Sequence, residues 1–258
     1  MLAYLNEKQI VQDSGPINTE IELERILQNN GETLVVTNKS EFQHKTAHRF
    51  FYEGYFDGYS KKLLFSIESA RKGKVRNPDK KDEYGFYIGK YAVDKHIYFI
   101  WKNMERRCYY SDTNGFHNYG AKGVQVSDSF KCYAFFESWY KQNNYGLSDL
   151  EIDKDVKSSG TCKMYSPETC ILIPSAINTF ISTLGENKGI EEVHNKLNNT
   201  YCVHYRRKYK RINKNFKTLE EAKSFKRNLD IEYLELLISQ YELPDDIKQA
   251  LRTYVEVL

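Results

Sequence analysis

The sequence predicts an α+β chain in which short antiparallel strands and amphipathic helices occupy separate stretches. Three observations predict it. Two capping boxes, Thr19-Glu-Ile-Glu22 and Thr218-Leu-Glu-Glu221, mark helix starts near the two ends. Between residues 150 and 182 the apolar pattern passes from two extended segments into a helical one. From residue 201 the chain alternates Tyr201, Val203 and Tyr205 with Cys202, His204 and Arg206, the two-residue period of a half-buried strand.

Each element follows in order. After the Thr19 box, Ile21, Leu23, Ile26 and Leu27 carry a helix to Gly31, a natural C-terminal stop. Residues 32–37 read as a strand, and a second extended segment includes Leu63, Leu64, Phe65 and Ile67. Residues 68–90 place Arg71, Lys72, Lys74, Arg76, Lys80 and Lys81 among Gly and Pro, the composition of a connecting arm. Ile97, Ile100, Trp101 and Met104 have helical spacing. A long Gly- and Asn-rich loop then leads to a short strand near Val124–Val126, and Phe130, Tyr133, Phe136 and Tyr140 mark one side of a core helix. Beyond it come a strand ending at Asp153, an extended return at Ile171–Ile173 and a helix starting at Pro174–Ser175. Two strands follow from Tyr201, then the Thr218 helix, with Leu219, Ala222, Phe225 and Leu229 against the sheet. Two final helices are expected, the last with Pro244 near its first position and Asp245 and Asp246 in its first turn.

Length and composition bound the class. At roughly 150 residues per domain, 258 residues allow one large domain or two to three small ones. The reading gives three regions: an α+β module with a basic arm over 1–90, a central domain over 91–184, and a sheet with C-terminal helices over 185–258. Leu, Ile, Val and Phe make up about a quarter of the chain, above the roughly 20 % below which disorder is expected. No apolar run approaches the roughly 18 residues of a membrane span, and residues 1–13 lack a basic region followed by an apolar stretch. A cytoplasmic protein is expected, without a membrane partner. The five cysteines contain no CxxC pair, so neither a disulfide framework nor a zinc site is expected.

The net charge of +3 conceals an uneven distribution. Residues 200–230 hold ten Lys or Arg and three Asp or Glu, a balance of +7 that leaves −4 for the rest. Such asymmetry suggests a local surface for a polyanion. Strand alternation from Tyr201 gives an aromatic face that packs and a basic face with His204 and Arg206; Arg207, Lys208, Lys210, Arg211 and Lys214 join the candidate phosphate contacts. In the strand-end triplet Asp153, Lys154 and Asp155, a carboxylate can converge with the amide oxygen of Asn178 on the following helix, oxygen atoms that a hard divalent cation takes as ligands.

The ordered blocks IWKNMERRCY (100–109), NYGAKGVQV (118–126), ESWY (137–140), IDKD (152–155), YSPETC (165–170) and IPSAIN (173–178) resemble a phage-encoded HNH-type endonuclease family. The resemblance covers roughly 97–182 and implies a ββα-metal domain, with Asp153 and Asn178 as ligands of Mg (or Mn) and duplex DNA as substrate. Active members carry a histidine beside the aspartate to activate water; here Lys154 stands there. An unperturbed lysine, with a pKa near 10.4, is almost wholly protonated at neutral pH, so Lys154 is expected to hold a phosphate. His117 in the long loop is the best-placed replacement base by chain order. A second departure, Thr169 where the family has Asn, weakens the expected support for the metal-side hairpin. Residues from about Lys188 to Asp230 resemble the ethylene-response-factor (APETALA) type of DNA-binding domain, a three-stranded sheet plus helix, through Tyr201, Val203, Phe216, Thr218, Glu220, Glu221 and Ala222. Two functions are therefore expected: a metal-dependent DNA endonuclease, or an inactive nuclease fold that binds DNA or inhibits a host defence protein, in the cytoplasm of a bacterial host.

Overall fold

The computed structural model describes residues 24–43, 50–59, 62–90, 93–158, 162–185, 188–194, 199–207 and 210–257. The chain divides into two compact units, Met1–Asn114 with Val126–Ser138 and Gly115–Gln125 with Trp139–Leu258, and its class is mixed α+β.

In the first unit β1 (Glu24–Leu27), β2 (Thr33–Gln43), β3 (Phe50–Phe56) and β4 (Leu63–Ser66) form an antiparallel sheet in chain order. Leu34, Val36, Phe56, Leu63 and Phe65 bury one side of it, with Ala70 of α1 (Ile67–Arg71) and Val75 completing the cluster. Each of the Leu, Val and Phe side chains contributes about 1.5–3 kcal/mol by leaving water. The helix expected through Ile26 and Leu27 is instead β1; its first part, with Thr19, lies outside the described residues. Ile26 packs against the cluster while Leu27 is 69 % exposed, the alternation of an edge strand. Gly31, with φ of +82°, closes the β1–β2 hairpin rather than a helix. The second extended segment ends at Ser66, whose Oγ accepts from the Ser69 N–H and starts α1, so Ile67 is helical. The expected connecting arm is packed in place: Val75 and Phe86 are buried, and the buried Gln28 side chain bonds Ala70 O and the Val75 N–H.

Helix α2 (Lys95–Tyr109) starts at Asp94, whose Oδ1 accepts from the Ile97 N–H, and buries Trp101 and Met104 as the spacing predicts. The indole of Trp101 donates to Phe130 O at 2.7 Å, satisfying its buried polar atom. The aromatic helix is broken into α3 (Asp128–Lys131) and α4 (Tyr133–Asn143), because Cys132 is extended at ψ of 113°. Phe130, Tyr133, Phe136 and Tyr140 are nevertheless all buried.

In the second unit the Gln125 N–H, in the short strand β5 (Gln125–Val126), donates to Lys163 O beside β7 (Met164–Tyr165). Strand β6 (Leu150–Asp153) pairs antiparallel with β8 (Ile171–Pro174), and α5 (Ser175–Ser182) follows directly, the expected strand, strand, helix order. Then β9 (Ile190–His194), β10 (Asn199–Arg207) and β11 (Lys210–Phe216) form a sheet in the order β11-β10-β9. Helix α6 (Leu219–Ile238) opens with the predicted capping box, both bonds of which are present. It is one 20-residue helix where a shorter one and a successor were expected, and α7 (Asp245–Val257) is the last element. Its first half packs Ala222 and Leu229 on Val203 and Tyr205 of the sheet. Its second half packs Leu234, Leu237 and Ile238 with Ile177, Phe180 and Ile181 of α5 and with Ile247, Leu251 and Val255 of α7.

Candidate nucleic-acid interface and strand-end carboxylates

Side-chain alternation sorts the basic residues of β10 and β11 into two sets. Val203 pairs with Lys214, Tyr205 with Ile212 and Arg207 with Lys210, so these share the side that α6 covers. The other side carries Cys202 opposite Asn215, His204 opposite Asn213 and Arg206 opposite Arg211. Glu191 of β9 pairs with Cys202 and lies on this same side. His204, Arg206, Arg211, Asn213, Asn215 and Glu191 are exposed, while Cys202 is buried among them.

Three residues of the expected basic face therefore point elsewhere. Arg207 donates to Thr183 Oγ1 at 2.9 Å and lies over the rings of Phe180, Tyr205 and Tyr233. Lys210 donates to both carboxylate oxygens of Glu232 on α6, at 2.8 and 2.6 Å. The Lys214 ammonium sits 4.5 Å from the ring centre of Phe225. Lys208 lies outside the described residues. Asn213, Asn215 and Glu191 were missed by counting charges; pairing the two strands at a period of two places all three.

On this exposed side His204 bridges Glu191 and Asn213. Its Nε2 lies 3.0 Å from Glu191 Oε2 and its Nδ1 3.2 Å from Asn213 Oδ1. A polar relay thus crosses all three strands.

At the end of β6 the burial alternates, with Leu150 and Ile152 buried and Glu151 and Asp153 partly exposed on the opposite face. Asp153 Oδ1 accepts from the backbone N–H groups of Asp155 and Val156, both at 2.8 Å, and so caps the 3-10 turn Val156–Ser158. Burial pushes the Asp153 carboxyl above the usual carboxylate range, against the pull of those two N–H groups and Lys154. Asn178 donates its amide to Glu151 Oε2, and Ser175 donates to Glu151 Oε1 at 2.9 Å. Glu151 was not singled out from the sequence, although its place two residues before Asp153 puts it on the same strand face. The two expected ligands thus have different partners, Asp153 its own following turn and Asn178 the Glu151 carboxylate, although all three side chains offer the oxygen atoms that suit a hard divalent cation. Among the described residues no group of three or more His, Cys, Asp or Glu side chains is arranged to hold a metal by itself.

Lys154 is 6 % exposed, which contradicts its expected role as a phosphate contact. Its ammonium bonds Asp155 at 2.5 Å and lies beside the paired rings of Tyr119 and Tyr165, 5.7 and 5.9 Å from their centres. His117 is exposed on the 3-10 turn Phe116–Asn118, two residues before Tyr119. Thr169 supports its hairpin after all. Its hydroxyl donates to Met164 O at 2.7 Å and accepts from the Ser166 N–H at 3.1 Å, spanning the turn as an Asn side chain would. The five cysteines are free thiols. No described helix is long and apolar enough to cross a membrane.

Compared with protein-family models, with curated proteins and with solved structures, the chain matches none.

Proposed function

We propose that this chain is a DNA-binding, HNH-like endonuclease: the exposed face of β9–β11 holds duplex DNA, and the strand, strand, helix unit of β6, β8 and α5 hydrolyses a phosphodiester bond with a divalent cation. The carrying observation is the clustering of His204, Arg206, Arg211, Asn213 and Asn215 on one sheet face, turned away from α6. Arginines there pair with phosphates or guanine edges, and asparagines present both a donor and an acceptor to bases. In the hydrolytic unit Asp153 and Asn178, with Glu151 between them in chemistry, are the residues to hold Mg or Mn. Bound there, the cation supplies charge stabilisation to a scissile phosphate. A cation also suits the half-buried Asp153 carboxylate, whose charge the surrounding groups only partly offset.

The test uses the full chain on supercoiled plasmid and on labelled duplexes. Nicking that needs Mg or Mn, is stopped by chelation and is lost in Asp153→Ala/Asn178→Ala while duplex binding persists is the expected result. Equal nicking by the double variant overturns the site.

A second reading rests on Lys154. With its amine buried against Asp155, the position that supplies a water-activating histidine in active members is occupied by a structural brace. On this reading the chain binds DNA, or a host defence protein, without cutting. Binding without nicking in either metal distinguishes it.

A further inference from the structure

Glu191 is a carboxylate on the surface proposed to meet a polyanion, and His204 engages only one of its two oxygens. Its side chain is 67 % exposed, and it shares the sheet side of Arg206 and Arg211. Its bond to His204 draws it from the edge strand β9 toward the central strand β10. That bond uses one carboxylate oxygen, Oε2.

The width of the sheet decides what the central strand meets. Three strands about 4.8 Å apart span roughly 10 Å, which fits a DNA major groove of about 12 Å but not a minor groove of about 6 Å. The edge strands then run beside the phosphate walls, and the central strand lies over base edges. In the major groove the base donors are the exocyclic amines of adenine and cytosine. Every base pair presents one such amine, on one strand or the other.

We infer that Glu191 is a specificity-determining residue that reads which strand carries the amino base, adenine or cytosine, at one position of a bound DNA duplex. This rests on the proposed DNA-binding face. Glutamate only accepts hydrogen bonds, so a thymine or guanine carbonyl in place of the amine repels it. Glutamine both donates and accepts, and tolerates either orientation of the pair. The carboxylate also opposes unselected binding, because it meets phosphates unfavourably wherever no amine is aligned.

The experiment selects duplexes from a randomised 20-base-pair pool with the full chain in chelator, then measures affinities by fluorescence anisotropy. For the wild type, one position is expected where exchanging the bases between strands, A·T to T·A or C·G to G·C, weakens binding about tenfold. Glu191→Gln is expected to reduce that penalty to about twofold or less and to raise affinity for unselected duplex. The side chain is exposed, and an unchanged circular dichroism spectrum checks that the variant is folded. If the wild type binds duplex DNA but Glu191→Gln keeps the full penalty, or no position shows one, the inference is overturned and the DNA-binding reading stands. If the wild type binds no duplex DNA, that reading fails and the inference with it.

Discussion

Arg207 donates from Nη2 to the hydroxyl of Thr183 at 2.9 Å, and that hydroxyl in turn donates to Phe180 O at 2.6 Å. The guanidinium of a sheet residue is thereby fixed to the C-terminal turn of α5, with its plane near three aromatic rings. Arg207→Ala removes a charged hydrogen bond and the ring contacts together. A loss of about 2–3 kcal/mol in unfolding free energy is expected by denaturant titration, with Arg207→Met recovering part of it through packing.

Arg206 and Arg211 face the other way, and their variants behave differently. Each of Arg206→Ala and Arg211→Ala is expected to leave stability within about 0.5 kcal/mol of wild type. Each reduces the slope of log K against log salt for duplex DNA by about 1 if its partner is a phosphate. Arg207→Met leaves that slope unchanged. The three slopes, measured side by side, separate the two sides of the sheet.

Asp153 predicts a pH dependence. Its carboxyl binds its proton more tightly folded than unfolded, so the stability it contributes is full below the unfolded value of about 3.9 and is lost as pH rises through the higher folded value. Asp153→Asn keeps an oxygen for the Asp155 and Val156 N–H groups and removes the charge. It is expected to melt about 2–4 °C above wild type at neutral pH, with the gap closing near pH 4. Adding Mg should raise the melting temperature of the wild type and not that of Asp153→Asn.

The capping box at Thr218 has both of its bonds, from the Glu221 N–H to Thr218 Oγ1 at 3.2 Å and from the Thr218 N–H to Glu221 Oε2 at 3.3 Å. Thr218→Ala is expected to cost about 1 kcal/mol. Circular dichroism during urea unfolding measures it.

In the first unit, Gly54 pairs with Val36 and Leu63, and a Cβ there stands 2.1 Å from Val35 O. Backbone cannot yield as a side chain can. Gly54→Ala is expected to destabilise this sheet by about 3 kcal/mol, visible as early loss of amide protection in β2 and β3 by hydrogen exchange.

The C-terminal half was more legible in the sequence than the rest, for physical reasons. Local chemistry alone determines the starts of α5 and α6: a proline before Ser175, and a Thr and Glu three residues apart at 218–221. Gly31 misled because a helix stop and a hairpin turn ask for the same positive φ, and only the partner strand β2 distinguishes them. The roles of Arg207, Lys210 and Lys214 could not be read from charge, since each finds its partner on an element far along the chain: Thr183, Glu232 and Phe225. The burial of Lys154 is hidden in the sequence for a similar reason, because Tyr119 and Tyr165 come beside it only once the loop and hairpin have folded.

Helix α6 meets the sheet through Ala222 and Leu229 and the α5 layer through Leu234, Leu237 and Ile238, without a break between. At 1.5 Å per residue its 20 residues form a strut about 30 Å long. It therefore sets both the distance and the phase between the β9–β11 sheet and the layer of α5 and α7. A single residue inserted between Leu229 and Leu234 swings one end through about 100° against the other, whereas four inserted residues return it nearly to its original bearing one turn further on. In this way the chain carries a caliper, and the spacing of its two layers is decided by helix length as much as by any side chain.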